Sequence, residues 1–391
     1  MSMSTEAFVK ALVRQVRAEY RTDAFIPLHA PQIGGREREL VMETLETGFV
    51  SSVGRHVGDF EQAVADYTGA AHAVATVNGT AALHMCLILA GVESNDEVIT
   101  QSITFVATCN AIRYCKAVPV LIDIDRATLG LCPDALAAWL EENAELGDDG
   151  SCRNRHSGRR IRACVPMHNF GHPARIDRLA EVCAAWRLEM IEDAAESLGS
   201  FYRDRHTGRF SRLAAISFNG NKIITTGGGG MILTDDEALA KKARHLTTTA
   251  KRPHPWLYIH DETGYNYRLP ALNAALGCAQ MERLAGFVER KRELAVRYAE
   301  WFQSTDYPFV HEPKGARSNY WFNAFLCRDR AERDQVLELT NQAGVMTRPV
   351  WTPMHTLELF RDCPTGPMPN ASWLDDRLVN IPSSVPPEGV A

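Results

Sequence analysis

Leu188-Glu-Met-Ile-Glu-Asp193 is a short apolar run that ends in a carboxylate, and Asp193-Ala-Ala-Glu196 sets a second acid just beyond it. Ala214-Ala-Ile-Ser-Phe218 is another such run; it carries Ser217 near its end and leads through Asn219-Gly-Asn to Lys222. A third, Gly230-Met-Ile-Leu233, opens from the glycine run Gly227–Gly230. Bursts this short, rich in aliphatic residues and bounded by Gly, Asn and Asp, read as buried strands. Together they bring an acid, a hydroxyl and a lysine to strand ends, where an α/β sheet builds its sites.

The same alternation extends from Ala71 to about Leu246. Candidate strands are His72–Val77, Glu97–Gln101, Val118–Asp123, Arg162–His168, Leu188–Asp193, Ala214–Phe218 and Gly230–Leu233. Between many of them lie helix-length segments: Ala81–Ala90, Val106–Cys115, Pro133–Asn143 and Arg175–Trp186. This pattern predicts an α/β fold, a mostly parallel seven-stranded sheet flanked by helices on both faces. Residues 1–30 read as an N-terminal helix or arm and 31–260 as the large domain. Residues 261–391 read as a smaller α+β C-terminal domain, with a long helical stretch Ala271–Trp301 and many prolines from Pro349 onward.

Two charged stretches admit more than one reading. In Glu6–Tyr20, Phe8, Leu12 and Val16 recur at helical spacing with Lys10, Arg14 and Arg17 between them. Such a helix packs on its own protein more often than on a membrane surface. Glu141–Arg162 is an acidic run followed by a basic one, either a solvated loop or a binder of a diphosphate.

The 391 residues, 45% hydrophobic and 23% charged, suit a soluble globular protein with an ample core. A net charge of −6 gives no global attraction to nucleic acid. The ten cysteines contain no C-x-x-C pair, so reduced buried thiols are expected rather than zinc or disulfides. No continuous apolar leader and no stretch of ~18 apolar residues is present, so a cytoplasmic protein without a membrane span is expected. His168, His172, His206 and His355 form no H-x₃-H or H-E-x-x-H helix pair, and no metal is expected.

Acid, hydroxyl and lysine at strand ends are the set that pyridoxal phosphate requires. A lysine attaches its aldehyde, a carboxylate keeps the pyridine nitrogen protonated, and hydroxyls with helix-start amides hold the phosphate. Lys222 is the candidate lysine and Asp193 the candidate acid. Asn78-Gly-Thr-Ala-Ala-Leu83 follows a strand and opens a helix, so amides near Thr80 and Ala81 can cradle a phosphate. It is no Walker motif, because the lysine of G-x-x-x-x-G-K-[ST] is missing.

Four segments in order resemble the DegT/StrS-type sugar aminotransferases. They are Ile191-Glu-Asp-Ala-Ala-Glu-Ser-Leu-Gly199, Ser217-Phe-Asn-Gly-Asn-Lys222, Thr225-Thr-Gly-Gly-Gly-Gly-Met-Ile232 and Gly264-Tyr-Asn-Tyr-Arg-Leu-Pro270. The resemblance spans about Ile26 to Ser384 and implies a fold-type I enzyme using pyridoxal 5′-phosphate, with pyridoxamine 5′-phosphate as intermediate, held by the large domain. It implies that Asp193 pairs with the pyridine nitrogen and that Glu196 lies near the phenolic oxygen. It further implies that Phe105 stacks on the ring and that Thr80, Ala81 and Ser217 hold the phosphate. Asn266 would reach the phosphate of a neighbouring subunit, giving a homodimer with shared active sites. Ser51, Asn110, Arg268 and Arg348 are further candidates for substrate contact. Asn95 and Lys116 stand where the family often has glycine, in turns away from the site.

The implied reaction moves an amino group from L-glutamate to the C4 keto group of a nucleotide-linked 4-keto-6-deoxy sugar. The wording Thr47-Gly-Phe-Val-Ser-Ser-Val-Gly54 points to UDP-2-acetamido-2,6-dideoxy-4-keto-hexose, as in bacillosamine or legionaminic acid routes. GDP- and dTDP-linked sugars of the perosamine type compete with it. A dehydratase or a non-catalytic sensor on the same fold are the other readings; the retained Lys222 favours transamination, since relatives that dehydrate sugars often carry histidine there.

Overall fold

The computed structural model describes residues 4–387; the ends of the first and last expected segments, 1–3 and 388–391, lie outside the described residues. The central sheet has seven strands: β1 His72–Thr76, β2 Glu97–Gln101, β3 Val118–Ile122, β4 Ile161–Val165, β5 Glu189–Asp193, β6 Leu213–Ser217 and β7 Gly230–Thr234. Their order is β1-β7-β6-β5-β4-β2-β3. All neighbours are parallel except β7, which runs antiparallel to both β1 and β6. Each expected strand is present, within three residues of the expected ends.

Alternation along the strands explains why helices cover both faces. Ala73, Ala75, Ala214, Ile216, Met231 and Leu233 point into one core with Phe60, Ala274 and Phe287. Their neighbours Val74, Leu213, Ala215 and Ile232 point the other way, toward Leu83, Cys86, Ile112 and Ala243. A period of two on a sheet buried on both sides makes every position apolar, which is why these strands are continuous hydrophobic runs. Asn95 (φ 70°) and Lys116 (φ 57°) take the left-handed conformation that glycine adopts most readily.

The long helical stretch is two helices, Ala271–Met281 and Leu284–Phe302, broken at Glu282–Arg283. The break serves two partners. The first helix lies on Glu37–Thr47 and Arg55–Thr68. The second buries Phe287 and Val288 under the large sheet and Leu294, Tyr298 and Phe302 in a separate core. That separate core also takes Phe8, Val9, Leu12 and Val16 of the helix Thr5–Tyr20, so its apolar face is covered by protein. A three-stranded antiparallel sheet, Asn323–Leu326, Leu378–Ile381 and Arg348–Pro349, completes this part.

The acidic-then-basic stretch folds back as a hairpin, Ala144–Leu146 with Cys152–Asn154. Arg153 pairs with Asp149 at 3.1 Å and Arg160 with Asp96 at 2.6 Å. Arg162 donates to the Ala90 carbonyl at 2.7 Å. Arg155 donates to the Glu141 and Glu142 carbonyls, so the arginines of this stretch bond to groups nearby.

Candidate active site

Parallel strands deliver the expected groups to one end of the sheet. Asp193 closes β5, Ser217 closes β6, and the β1-to-helix turn brings Gly79 beside Ser217. A cavity of about 920 Å³ opens there, lined by Thr80, Phe105, Asp193, Glu196, Ser217, Lys222 and Arg348 among others. Small-molecule sites span roughly 300–1,000 Å³.

Lys222 Nζ donates to Glu196 Oε1 at 3.1 Å and lies 3.9 Å from the centre of the Trp321 ring. Asp193 is 4% exposed; Oδ2 accepts from the Thr108 hydroxyl at 2.7 Å and Oδ1 from the Ala195 amide at 3.2 Å. Burial pushes its carboxyl above the ordinary value, while these bonds and the nearby Lys222 pull it back. Burial pushes Glu196 up to about 7, against the pull of Lys222 and of the Phe170 amide. That amide donates to Oε2 at 3.0 Å. Phe170 reaches it with φ 59°, a left-handed backbone that a bulky residue rarely adopts and that persists only where its surroundings enforce it.

The opposite wall suits a phosphate. Asn78 caps the helix Gly79–Leu89, its Oδ1 accepting from the Ala81 amide at 2.7 Å. Gly79 is required by contact: a Cβ there would stand 2.7 Å from Ser217 Cβ. Gly230 is required likewise, since its missing side chain lets the Asn78 carbonyl approach. Ser217 pairs with Gly230 and Gly230 with Thr76, so these residues form one row across three strands. An anion-accepting helix start, a buried acid and a recessed lysine around one cavity fit pyridoxal phosphate: Thr80 and Ser217 would hold its phosphate, Asp193 its ring nitrogen and Lys222 its aldehyde.

The other expected positions lie outside the cavity wall. The Ala81 amide is taken by Asn78, and Asn110 sits a turn beyond Ala107 on its helix. Ser51 is exposed, and its carbonyl accepts from the Ala271 amide at 2.7 Å. Arg268 donates to Glu61 at 3.1 Å and to the Ala75 carbonyl at 3.4 Å. Asn266 is exposed, its backbone bridged to Thr248. Sequence reasoning missed Thr108, Phe170 and Trp321. The signal for Thr108 was present, a hydroxyl one turn after Phe105 at a helix start. Among the described residues one grouping could hold a metal, the surface trio His245, Asp261 and Glu262, and Asp261 there also pairs with Arg252 at 3.4 Å.

Residues 31–386 match the model of the DegT/DnrJ/EryC1/StrS aminotransferase family. The chain is 37% identical to EpsN of Bacillus subtilis over 336 residues, covering 86% of this chain and 84% of the relative. It is 33% identical over 360 residues to GDP-perosamine synthase of Escherichia coli O157:H7, covering 92% and 93%. It is 35% identical over 364 residues to GDP-perosamine synthase of Caulobacter vibrioides, again covering 92% and 93%. Among solved structures, the aminotransferase TlmJ of Streptoalloteichus hindustanus superposes with a TM-score of 0.82 at 28% identity, over 91% of this chain and 93% of that one. The match over almost the whole chain, on a sheet that carries the lysine and acid at its strand ends, makes this protein a member of the DegT/DnrJ/EryC1/StrS family, a pyridoxal-phosphate-dependent sugar aminotransferase.

Proposed function

We propose that this enzyme transfers the amino group of L-glutamate to the C4 keto carbon of a nucleotide-linked 4-keto-6-deoxy sugar, with a GDP-linked sugar as its first candidate. The cavity is the observation that supports this most directly. Lys222, Glu196, Asp193 and the Thr80–Ser217 corner occupy one part of it, and the remainder extends past Phe105 and Trp351 to Arg348. Its volume leaves room for a sugar beside the cofactor. Lys222 is bound to Glu196; the other lining cation, Arg348, donates from Nη1 to Asn341 Oδ1 at 3.1 Å and to the Thr347 carbonyl at 3.0 Å, and its remaining donors can meet a diphosphate or a donor carboxylate.

Bound pyridoxal phosphate carries the amino group from donor to acceptor and spreads the electron pair released at the substrate carbon. In this reading Asp193 holds a proton on the ring nitrogen, and Lys222 takes and returns the proton at the substrate carbon. Glu196, poised to hold a proton near neutrality, donates toward the phenolic oxygen. Phe105, 48% exposed in the cavity wall, offers a face to the ring. Asn266 of a second copy completes the phosphate site. The exposed Trp256 and Tyr258, 75% and 81% accessible in the stretch leading to Asn266, are the kind of surface a second copy would cover.

The motif wording favoured a UDP-linked acetamido sugar, whereas relatives named GDP-perosamine synthases, matched over 92% of this chain, favour GDP. A panel of GDP-, UDP- and dTDP-4-keto-6-deoxy sugars, each incubated with glutamate and read by product mass, decides between them. The expected result is an amino sugar from the GDP substrate at the highest kcat/KM. Preferred use of the UDP sugar would overturn the nucleotide, and no amino sugar from any would overturn the reaction.

A further inference from the structure

Trp321 stands just ahead of the strand Asn323–Leu326, in a stretch that the reaction as described leaves unused. It meets Lys222 at both ends of that side chain. Its indole Nε1–H donates to the Asn221 carbonyl at 2.7 Å, fixing the backbone from which the lysine springs. Its ring face lies 3.9 Å from Nζ. The indole is 3% exposed and stacks on Phe322 with centres 3.8 Å apart, so it cannot drift without unpacking the pair.

The stretch Ser318–Trp321 is itself held from three directions. Asn319 Oδ1 accepts from the Trp321 amide at 2.8 Å. Asn319 Nδ2 donates to the carbonyls of Glu196 and Leu198, each at 2.9 Å. Tyr320 between them has φ 46°, a conformation that persists only under such constraint. One bracket thus grips the loop of the acid by its asparagine and the loop of the lysine by its tryptophan.

Beneath it, Lys291 is fully buried and donates from Nζ to the carbonyl of Trp321 at 3.2 Å and to that of Ser383. An amine that deep is costly, and burial holds its pKa well below the usual lysine range. An apolar side chain would fill the same space without that cost. What the amine adds is a grip on the Trp321 backbone.

We propose that Trp321 positions Lys222 by clamping it at Asn221 and at its amine, and that Lys291 is a positioning residue acting through Trp321. The inference rests on Lys222 being the reacting lysine. A lysine has four rotatable bonds, and each unrestrained rotamer takes the amine away from the reacting carbon. With Glu196 on one side and the Trp321 ring on the other, the released amine has one resting place, next to the substrate.

The test uses the full-length, cofactor-loaded enzyme and the half-reaction with glutamate alone, followed by loss of the visible band in a stopped-flow instrument. No sugar nucleotide enters it, so an error in the nucleotide leaves it intact. Borohydride reduction and peptide mapping come first: an adduct on another lysine refutes the Lys222 reading itself. Trp321→Phe keeps a ring but loses the Nε1–H, and should slow the half-reaction about tenfold; Trp321→Leu should slow it about a hundredfold. Lys291→Met should cost about tenfold, with cofactor occupancy and the KM for glutamate within about twofold of wild type. Rates within twofold of wild type in the tryptophan variants overturn the proposal, as do losses that merely follow lost cofactor. Should the Leu variant fail to fold, the Phe variant decides by the same criterion. A Lys291→Met rate equal to wild type removes Lys291 from the mechanism.

Discussion

In the proposed reaction three side chains carry the chemistry, and each makes a different prediction. Lys222→Ala should retain cofactor through the Thr80–Ser217 corner yet lose transamination, because among the described residues no other one in the cavity wall offers an amine. Turnover near wild type, measured by product mass, would refute that role. Asp193→Asn cannot hold a proton on the ring nitrogen and should lower kcat by about a thousandfold, whereas Glu196→Gln should cost about tenfold or less. Equal losses in the two variants would contradict the ranking. Glu196 also links to stability. Its folded value of about 7 stands above the ordinary 4.5, so between these the folded chain holds more protons than the unfolded. Its contribution to stability therefore falls as pH rises from about 4.5 to 7 and is flat outside that window. In cofactor-free protein, calorimetry should show the Tm of Glu196→Gln rising relative to wild type across that range. A difference that stays constant or shrinks would show that Glu196 titrates elsewhere.

At this scale the sequence was legible where chemistry sits at strand ends. Asp193 and Ser217 stand where short apolar runs stop, Lys222 follows in the turn beyond the second, and a run that stops in a polar side chain marks a site. Arg348 also lines the cavity, although nothing local distinguishes it. Trp321 was invisible for a physical reason. Three neighbouring bulky residues, Tyr320, Trp321 and Phe322, are all buried, and nothing local sets the indole apart from the other two. Only the third dimension brings the indole to Asn221.

At the scale of elements, periodicity carried the reading. Strands buried on both faces have no amphipathic alternation to blur their ends, so all seven were readable. The helix break at Glu282–Arg283 was not, because both halves keep a helical apolar pattern and neither glycine nor proline marks the join. Nor could a sequence tell that Thr5–Tyr20 packs beside Leu294, Tyr298 and Phe325, since an apolar stripe names a face and not its partner. The β1-to-helix turn yields the prediction proper to this scale. Gly79→Ala would press a methyl against Ser217 Cβ, and neither backbone can retreat without breaking the row Thr76–Gly230–Ser217. Overpacking of this kind costs about 1–3 kcal/mol, and it falls on the phosphate corner. Cofactor affinity, measured by fluorescence titration of cofactor-free protein, should weaken about tenfold or more, and Tm without cofactor should fall by about 1–4 °C. Unchanged affinity would remove that corner from the phosphate site.

At the scale of the whole molecule, Asn266 is the residue that bears on assembly. It is a phosphate-binding candidate, yet it is exposed and absent from the cavity of its own chain. A second copy reconciles the two, and the consequence can be measured. Lys222→Ala and Asn266→Asp chains should each be nearly inactive, the first for want of the amine and the second because a carboxylate repels the phosphate. In a hybrid dimer one of the two sites pairs the intact Lys222 of one chain with the intact Asn266 of the other. Mixing the inactive proteins under conditions that allow subunit exchange should therefore restore activity. Random exchange makes half the dimers hybrid, each with one good site of two, so recovery should approach about a quarter of wild type. Differential tags and native mass spectrometry report whether hybrids have formed. If they form and activity does not return, each site is built within a single chain, and Asn266 belongs to the surface on which it is seen.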